Sequence, residues 1–234
     1  MAHHPVLEHL RGGLVVSCQA LPHMPLGRPE HLVALGETVI LGGARGLRME
    51  GPENLAAARA RIHPAIPIIG LWKLGEVPNV FITPTRDAVE AVIAAGVDVV
   101  ALDATLRPRP DGSRLQDLVD LIHQAGRLAL GDVASVADAE GAAEAGVDAV
   151  ATTLAGYTGE DSASRHAFDS GLLTGMVQHV KVPVLAEGHI AAPAQARAAL
   201  DAGAWAVVVG TAITRPEVLA RAFVDAVSAA RPPG

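Results

Sequence analysis

Lys73 is the residue of this sequence whose type and position most clearly indicate chemistry. The chain contains two lysines and sixteen arginines, so arginine carries nearly all of its positive charge. Arginine keeps its proton near neutral pH, whereas a lysine can release one when burial or a neighbouring charge lowers its pKa. Lys73 ends an apolar run that starts at Ile66, while Lys181 resembles an ordinary lysine placed before a strand. Lys73 is therefore a candidate acid, base or Schiff-base group.

Glu187 is the second candidate for proton chemistry. It directly follows the apolar run 182–186 and precedes Gly188, so its side chain is expected at the end of a buried strand. A carboxyl group in that position can exchange protons with a bound substrate. Asp103 and Asp132 also follow apolar runs, but each is equally compatible with a loop residue or a helix cap.

A glycine-containing turn near the end of the chain predicts a phosphate site. Gly210 follows the last apolar run, and the next helix is expected to start at Thr214 or Pro216. Free backbone N–H groups and the helix dipole at such a turn attract phosphate. Gly188 ends the preceding apolar run in the same way, and Arg215 could add a charged contact. The alternative is a tight turn that needs glycine for its shape alone.

The elements that would position these residues alternate along the whole chain. Apolar, β-branched runs, read as strands, cover residues 14–17, 38–41, 67–71, 97–102, 127–130, 148–152, 182–186 and 205–209. Helical spacing is clearest in residues 86–95, 113–125, 136–145, 192–202 and 216–230. Caps or prolines occur near helix starts at Thr85, Ser135 and Pro216, and glycines follow helix ends at Gly96, Gly126, Gly146 and Gly203.

Eight such units predict a single-domain (β/α)8 TIM barrel with a parallel eight-stranded core. A doubly wound sheet is the alternative, but no Gly-x-Gly-x-x-Gly pattern follows the first strand. One domain is expected over residues 1–234, with 1–12 as a leading segment and 231–234 as a frayed tail. The active site of such a barrel lies where its strands end.

Composition excludes several classes of partner. The net charge of -7 and the presence of only six aromatic residues argue against nucleic-acid binding. No signal peptide and no uninterrupted apolar stretch long enough for a membrane span is evident, so a cytoplasmic protein is expected. The histidines lack ligand spacing and Cys18 is the sole cysteine, so we expect neither a metal nor a cofactor. The Ala-rich last helix favours a homodimer.

An ordered set of motifs makes the chain similar to the N-acetylmannosamine-6-phosphate 2-epimerase family. The set covers nearly the full chain: residues 13–22 (GLVVSCQALP), 46–48 (GLR), 67–73 (PIIGLWK), 80–85 (VFITPT), 101–105 (ALDAT), 109–112 (RPDG), 152–158 (TTLAGYT), 186–188 (AEG) and 208–216 (VVGTAITRP). The chain departs from the family pattern at residues 74–76 and before Asp132, and His189 stands where related chains vary.

The resemblance implies a barrel enzyme of sialic-acid breakdown that interconverts N-acetylmannosamine 6-phosphate and N-acetylglucosamine 6-phosphate. It implies Lys73 and Glu187 as the proton-transfer pair. The implied substrate-positioning residues are Gln19, Arg48 and Asp132, and the implied phosphate contacts are Gly188, Gly210, Thr211 and Arg215.

The chemistry requires only an acid and a base. The C2 proton of the open-chain sugar lies next to the C1 aldehyde, so its removal gives an enolate, and its return on the opposite face inverts C2. The sequence leaves open which group removes the proton, and one lysine serving both faces is possible. A Schiff-base aldolase using Lys73 and a non-catalytic sugar-phosphate sensor are the alternative functions.

Overall fold

The computed structural model describes residues 3–21, 23–75, 79–158 and 168–229. Eight parallel strands close into a barrel in chain order. They are β1 (Leu14–Cys18), β2 (Gly46–Glu50), β3 (Ile68–Leu71), β4 (Val99–Asp103), β5 (Leu128–Asp132), β6 (Ala149–Ala151), β7 (Val184–Glu187) and β8 (Ala206–Val209). The predicted (β/α)8 barrel is thereby confirmed, and the doubly wound alternative is wrong because β1 pairs with β8.

Helices surround this barrel. They are α1 (Pro5–Leu10), α2 (Pro29–Leu41), α3 (Pro52–Arg61), α4 (Arg86–Ala94), α5 (Leu115–Gln124), α6 (Val136–Glu144), α7 (Ser170–His179), α8 (Pro193–Asp201), α9 (Thr211–Thr214) and α10 (Pro216–Ala229). A 3-10 turn over Thr152–Leu154 follows β6. Within the described part of the chain, no helix has both the length and the apolar character that crossing a bilayer requires. Glu76, His166 and the tail 231–234 lie outside the described residues.

The prediction for the second strand is wrong. Residues 38–41 form the last turn of α2, and the strand is Gly46–Glu50 instead. The β-branched residues in this stretch imitate a strand, but they continue a helix that begins with Pro29 at its first turn. The true strand was hard to recognise because alternate positions carry the charged residues Arg48 and Glu50, which interrupt its apolar pattern.

Helix starts and ends follow the predicted caps. The hydroxyl groups of Thr85 and Ser135 accept hydrogen bonds from the backbone N–H groups of Ala88 and Asp138. The glycines after α4, α5, α6 and α8 all have φ between 69° and 101°, the left-handed region that favours glycine. These caps fix where each helix ends and the chain turns back toward the next strand.

The alternation of side chains along the strands separates two apolar layers. One layer fills the barrel interior and includes Val15, Ile69, Leu71, Val99, Ala101, Leu130 and Leu185, and the other lies between strands and helices. Residues two apart on a strand share a face. Lys73 therefore continues the inward face of Leu71, and Glu187 that of Leu185. Arg48 pairs in register with inward-facing Ile69, so it also points inward.

Candidate active site

Strand order places Lys73 and Glu187 on opposite sides of the barrel mouth. Lys73 lies two residues beyond β3, and Glu187 is the last residue of β7. These strands are four apart in the closed ring of eight, so they face each other across the barrel. Asp132 ends β5, and Arg48 lies within β2.

Arg48 connects the predicted residues across the interior. Its side chain is 1% exposed, and its Nη2 donates to Oδ2 of Asp132 at 2.7 Å. Its Nε lies 3.2 Å from Oε1 of Glu187. Burial acts to lower the pKa of Arg48, but the carboxylates of Asp132 and Glu187 raise it above its ordinary value. Arg48 is therefore a fixed positive charge at the base of the mouth.

Glu187 has a carboxyl group suited to proton exchange. Burial raises its pKa to about 7, with Asp132 adding to the rise and Arg48 opposing it. A pKa near the operating pH is what a general acid or base needs. Its Oε2 is buried and makes no hydrogen bond to any residue that the structure describes.

Lys73 is held by two partners, Gln19 just after β1 and Glu50 at the end of β2. Its Nζ donates to Oε1 of Gln19 at 2.6 Å and lies 3.4 Å from Oε2 of Glu50. The amide of Gln19 is itself oriented, because its Nε2 donates to Oγ of Ser17 at 2.8 Å. The backbone at Lys73 forms an antiparallel bridge with Ile82, which ties it to the segment before α4.

A cavity of about 620 Å³ opens at this mouth. Its wall contains Gln19, Arg48, Lys73 and Glu187 of the predicted set, together with Gly188, Gly210 and Thr211. Asp132 is fully buried behind Arg48, where its Oδ1 accepts from Thr153 at 2.5 Å. It therefore backs the wall without forming part of it.

The loops after β7 and β8 both line the cavity, but Arg215 does not. Gly188 has φ 101°, and Gly210 precedes the short helix α9. Arg215 follows α9 and pairs with Glu217, next to a separate cavity of about 130 Å³. In this conformation Arg215 lines the smaller cavity and not the main one.

Sequence reasoning missed several residues of the site. Glu50 was detectable, since it lies two residues after Arg48 on the same strand face. Tyr157 and His189 stack in the cavity wall with ring centroids 5.4 Å apart, and this pairing across the chain has no local sequence signal. Among the described residues, no group of three His, Cys, Asp or Glu side chains is arranged to hold a metal ion.

Comparison with known proteins supports the resemblance. The family model described as "Putative N-acetylmannosamine-6-phosphate epimerase" matches residues 32–229. A protein from Thermosynechococcus vestitus named "Putative N-acetylmannosamine-6-phosphate 2-epimerase" is 45% identical over 223 residues, covering 94% of this chain and 95% of its own. A relative of the same name from Cutibacterium acnes is 42% identical over 224 residues, covering 94% and 96%.

Solved structures agree with these matches. The N-acetylmannosamine-6-phosphate 2-epimerase from Clostridium perfringens superimposes with a TM-score of 0.89 at 37% identity, covering 96% of this chain and 97% of its own. A 3-hexulose-6-phosphate synthase has a TM-score of 0.62 at 19% identity, with 86% and 91% covered, and shares the fold alone.

Proposed function

Because this chain belongs to the N-acetylmannosamine-6-phosphate 2-epimerase family, we propose that it interconverts N-acetylmannosamine 6-phosphate and N-acetylglucosamine 6-phosphate. The observation that carries this proposal is the placement of Lys73 and Glu187 on opposite sides of one cavity. Inversion at C2 needs proton removal on one face of the sugar and proton return on the other.

Each group at the mouth has a role in the proposed reaction. Lys73 and Glu187 exchange protons with C2, each acting as base in one direction and as acid in the other. Arg48 stabilises the negative charge of the enolate, since its buried Nη1 makes no hydrogen bond to any described residue. Gln19 orients Lys73, and Asp132 orients Arg48.

The phosphate binds at the loops after β7 and β8 in this proposal. Gly188, Gly210 and Thr211 line the same cavity as the proton-transfer groups, and their backbone N–H groups suit an anion. We assign Arg215 to the phosphate as well, through opening of its pair with Glu217. Binding energy from this remote group would orient C2. We further propose that the protein is a cytoplasmic enzyme of sialic-acid and amino-sugar breakdown, because its proposed substrate is a phosphorylated sugar.

We propose that two copies of the chain form a homodimer through α10. Its described side chains are exposed from Pro216 onward, and they include Val218, Leu219, Phe223, Val224 and Val227. A helix with so many exposed apolar side chains is typical of an interaction surface.

The test of the function is proton exchange at C2. The purified protein, incubated with N-acetylmannosamine 6-phosphate in deuterated water, should incorporate deuterium at C2 and form the epimer. A protein that binds the sugar phosphate but leaves its C2 proton in place would be a sensor, and the proposal would be wrong. Trapping of a substrate imine on Lys73 by borohydride would favour the aldolase instead.

A further inference from the structure

Glu50 lies next to the reacting lysine without forming part of the cavity wall. It is the last residue of β2 and pairs in register with Leu71 of β3. Lys73, two residues beyond Leu71, therefore projects toward the same side. The Nζ of Lys73 lies 3.4 Å from Oε2 of Glu50, yet Lys73 lines the cavity and Glu50 does not. Glu50 is thus placed to act on Lys73 rather than on a substrate.

The partners of Lys73 limit the directions in which its amino group can point. An ammonium group has three N–H donors. One donates to the oxygen of Gln19, whose orientation is fixed by Ser17, and a second faces the carboxylate of Glu50. The third is left for the cavity. Since the Lys73 side chain is 38% exposed and flexible, these two anchors decide where its amino group lies.

We propose that Glu50 is a positioning residue of the reaction. Its carboxylate holds the amino group of Lys73 against Gln19 and balances the positive charge that this group carries whenever it holds the proton. A base oriented and balanced by a third group is a recurring arrangement in proton-transfer sites. The expected effect of Glu50 on turnover rests on the proposed function, whereas the contact between Glu50 and Lys73 does not depend on it.

A surface ion pair without functional effect is the competing explanation. The pair of Glu37 and Arg61, 2.9 Å apart and more exposed, is of that kind and lies away from the cavity. Glu37→Gln removes one carboxylate by the same chemical change as Glu50→Gln. It is therefore the matched control for both fold stability and turnover.

The first measurement is steady-state epimerisation. Glu50→Gln should lower kcat by about tenfold or more and leave KM within about twofold, because Glu50 acts through Lys73 and does not bind the sugar. Glu50→Asp, which keeps the charge, should recover part of the lost kcat. Glu37→Gln should match the wild-type protein. Equal kcat values for Glu50→Gln and wild type would overturn the inference, as would a rise in KM alone.

The second measurement does not depend on activity. Protein labelled with ¹⁵N-lysine has side-chain signals from two lysines only, and the Lys181→Arg variant identifies which signal belongs to Lys73. Glu50→Gln should move the Nζ signal of Lys73 and leave that of Lys181 in place, while Glu37→Gln moves neither. If the Lys73 signal does not move, the inference fails whatever the enzyme does. If the signal moves but wild-type protein leaves C2 unexchanged, the proposed function fails, and the role of Glu50 in turnover fails with it.

Discussion

Lys73 and Glu187 should be separable from substrate binding, because neither belongs to the apolar layers that stabilise the barrel. Lys73→Ala and Glu187→Gln should fold and bind sugar phosphate, but lose roughly 10²–10⁴-fold in turnover, as removal of a positioned proton-transfer group does. Lys73→Arg should be nearly as damaging, since arginine does not release its proton. Lys181→Arg is the matched control, since Lys181 is exposed. Near wild-type deuterium exchange in Lys73→Arg would make Lys73 an electrostatic or structural group only.

The pH dependence of kcat/KM should report the buried carboxyl of Glu187. Burial raises its pKa to about 7, so it gains a proton as the pH falls below that value. In the proposed reaction the active form of the pair holds one proton between Lys73 and Glu187, and a second proton blocks transfer. We therefore expect kcat/KM to fall as pH falls through about 7, equally in both reaction directions.

The control for this fall of kcat/KM at low pH, the acidic limb of the pH profile, is the Glu187→Gln variant. Its residual activity should lack the limb near pH 7, while any dependence due to the substrate phosphate, which titrates near pH 6, should remain. A limb near pH 7 that persists in the variant would assign it to another group.

Arg215 provides a test of the phosphate assignment. Arg215→Ala should raise KM by about tenfold and change kcat less, because a charged contact with phosphate binds ground and transition states alike. Arg197→Ala, which also breaks an exposed ion pair, is the control. An unchanged KM would count against the assignment of Arg215 to the phosphate and leave it with Glu217 as its partner.

The antiparallel segment that follows β3 positions Lys73 at the level of secondary structure. Thr83 is fully buried with φ 44°, a conformation rare for a β-branched residue. Its Oγ1 donates to the carbonyl of Ala101 at 2.6 Å and accepts from the N–H of Trp72 at 3.1 Å. This hydroxyl therefore ties the residue preceding Lys73 to β4.

Thr83→Val should destabilise the protein by roughly 1–3 kcal/mol, because it leaves buried backbone groups without partners. It should also lower kcat by displacing Lys73. Thr83→Ser keeps the hydroxyl and should retain most of both properties. Urea unfolding and epimerisation assays would measure the two effects. If Thr83→Val and Thr83→Ser behave alike in both assays, the hydroxyl does not position the segment.

Much of the architecture could be predicted from sequence because barrel strands buried on both faces are apolar. The exception, β2, shows the limit: Arg48 and Glu50 interrupt its apolar pattern, so residues 38–41 of α2 were mistaken for the strand. The positions of Lys73 and Glu187 at the mouth followed from their places after apolar runs. Their roles remain predictions. The contact of Gln19 with Lys73 depends on how β1, β2 and β3 stand side by side, which no local pattern encodes.

At the scale of the whole molecule, α10 differs from the other long helices. It contributes no residue to either apolar layer in the part of the chain that the structure describes. Two of its exposed apolar residues, Val218 and Leu219, line the cavity, and Phe223 and Val227 lie farther along the helix. Exposure of this apolar surface to water is unfavourable in free energy. Burial of the surface against a second copy of the chain would remove that cost.

The proposed dimer predicts that Phe223→Glu will be monomeric. Phe223 is 74% exposed, so the substitution should not disturb the barrel core, while a carboxylate would be buried without a partner in the interface. Leu41→Glu is the control, since Leu41 is 90% exposed on α2, far along the chain from α10. Sedimentation velocity at micromolar concentration should show a dimer for the wild type and Leu41→Glu, and a monomer for Phe223→Glu. Thermal unfolding of Phe223→Glu should remain cooperative, which would separate a lost interface from a lost fold. A monomeric wild-type protein would show that α10 has no partner of its own kind.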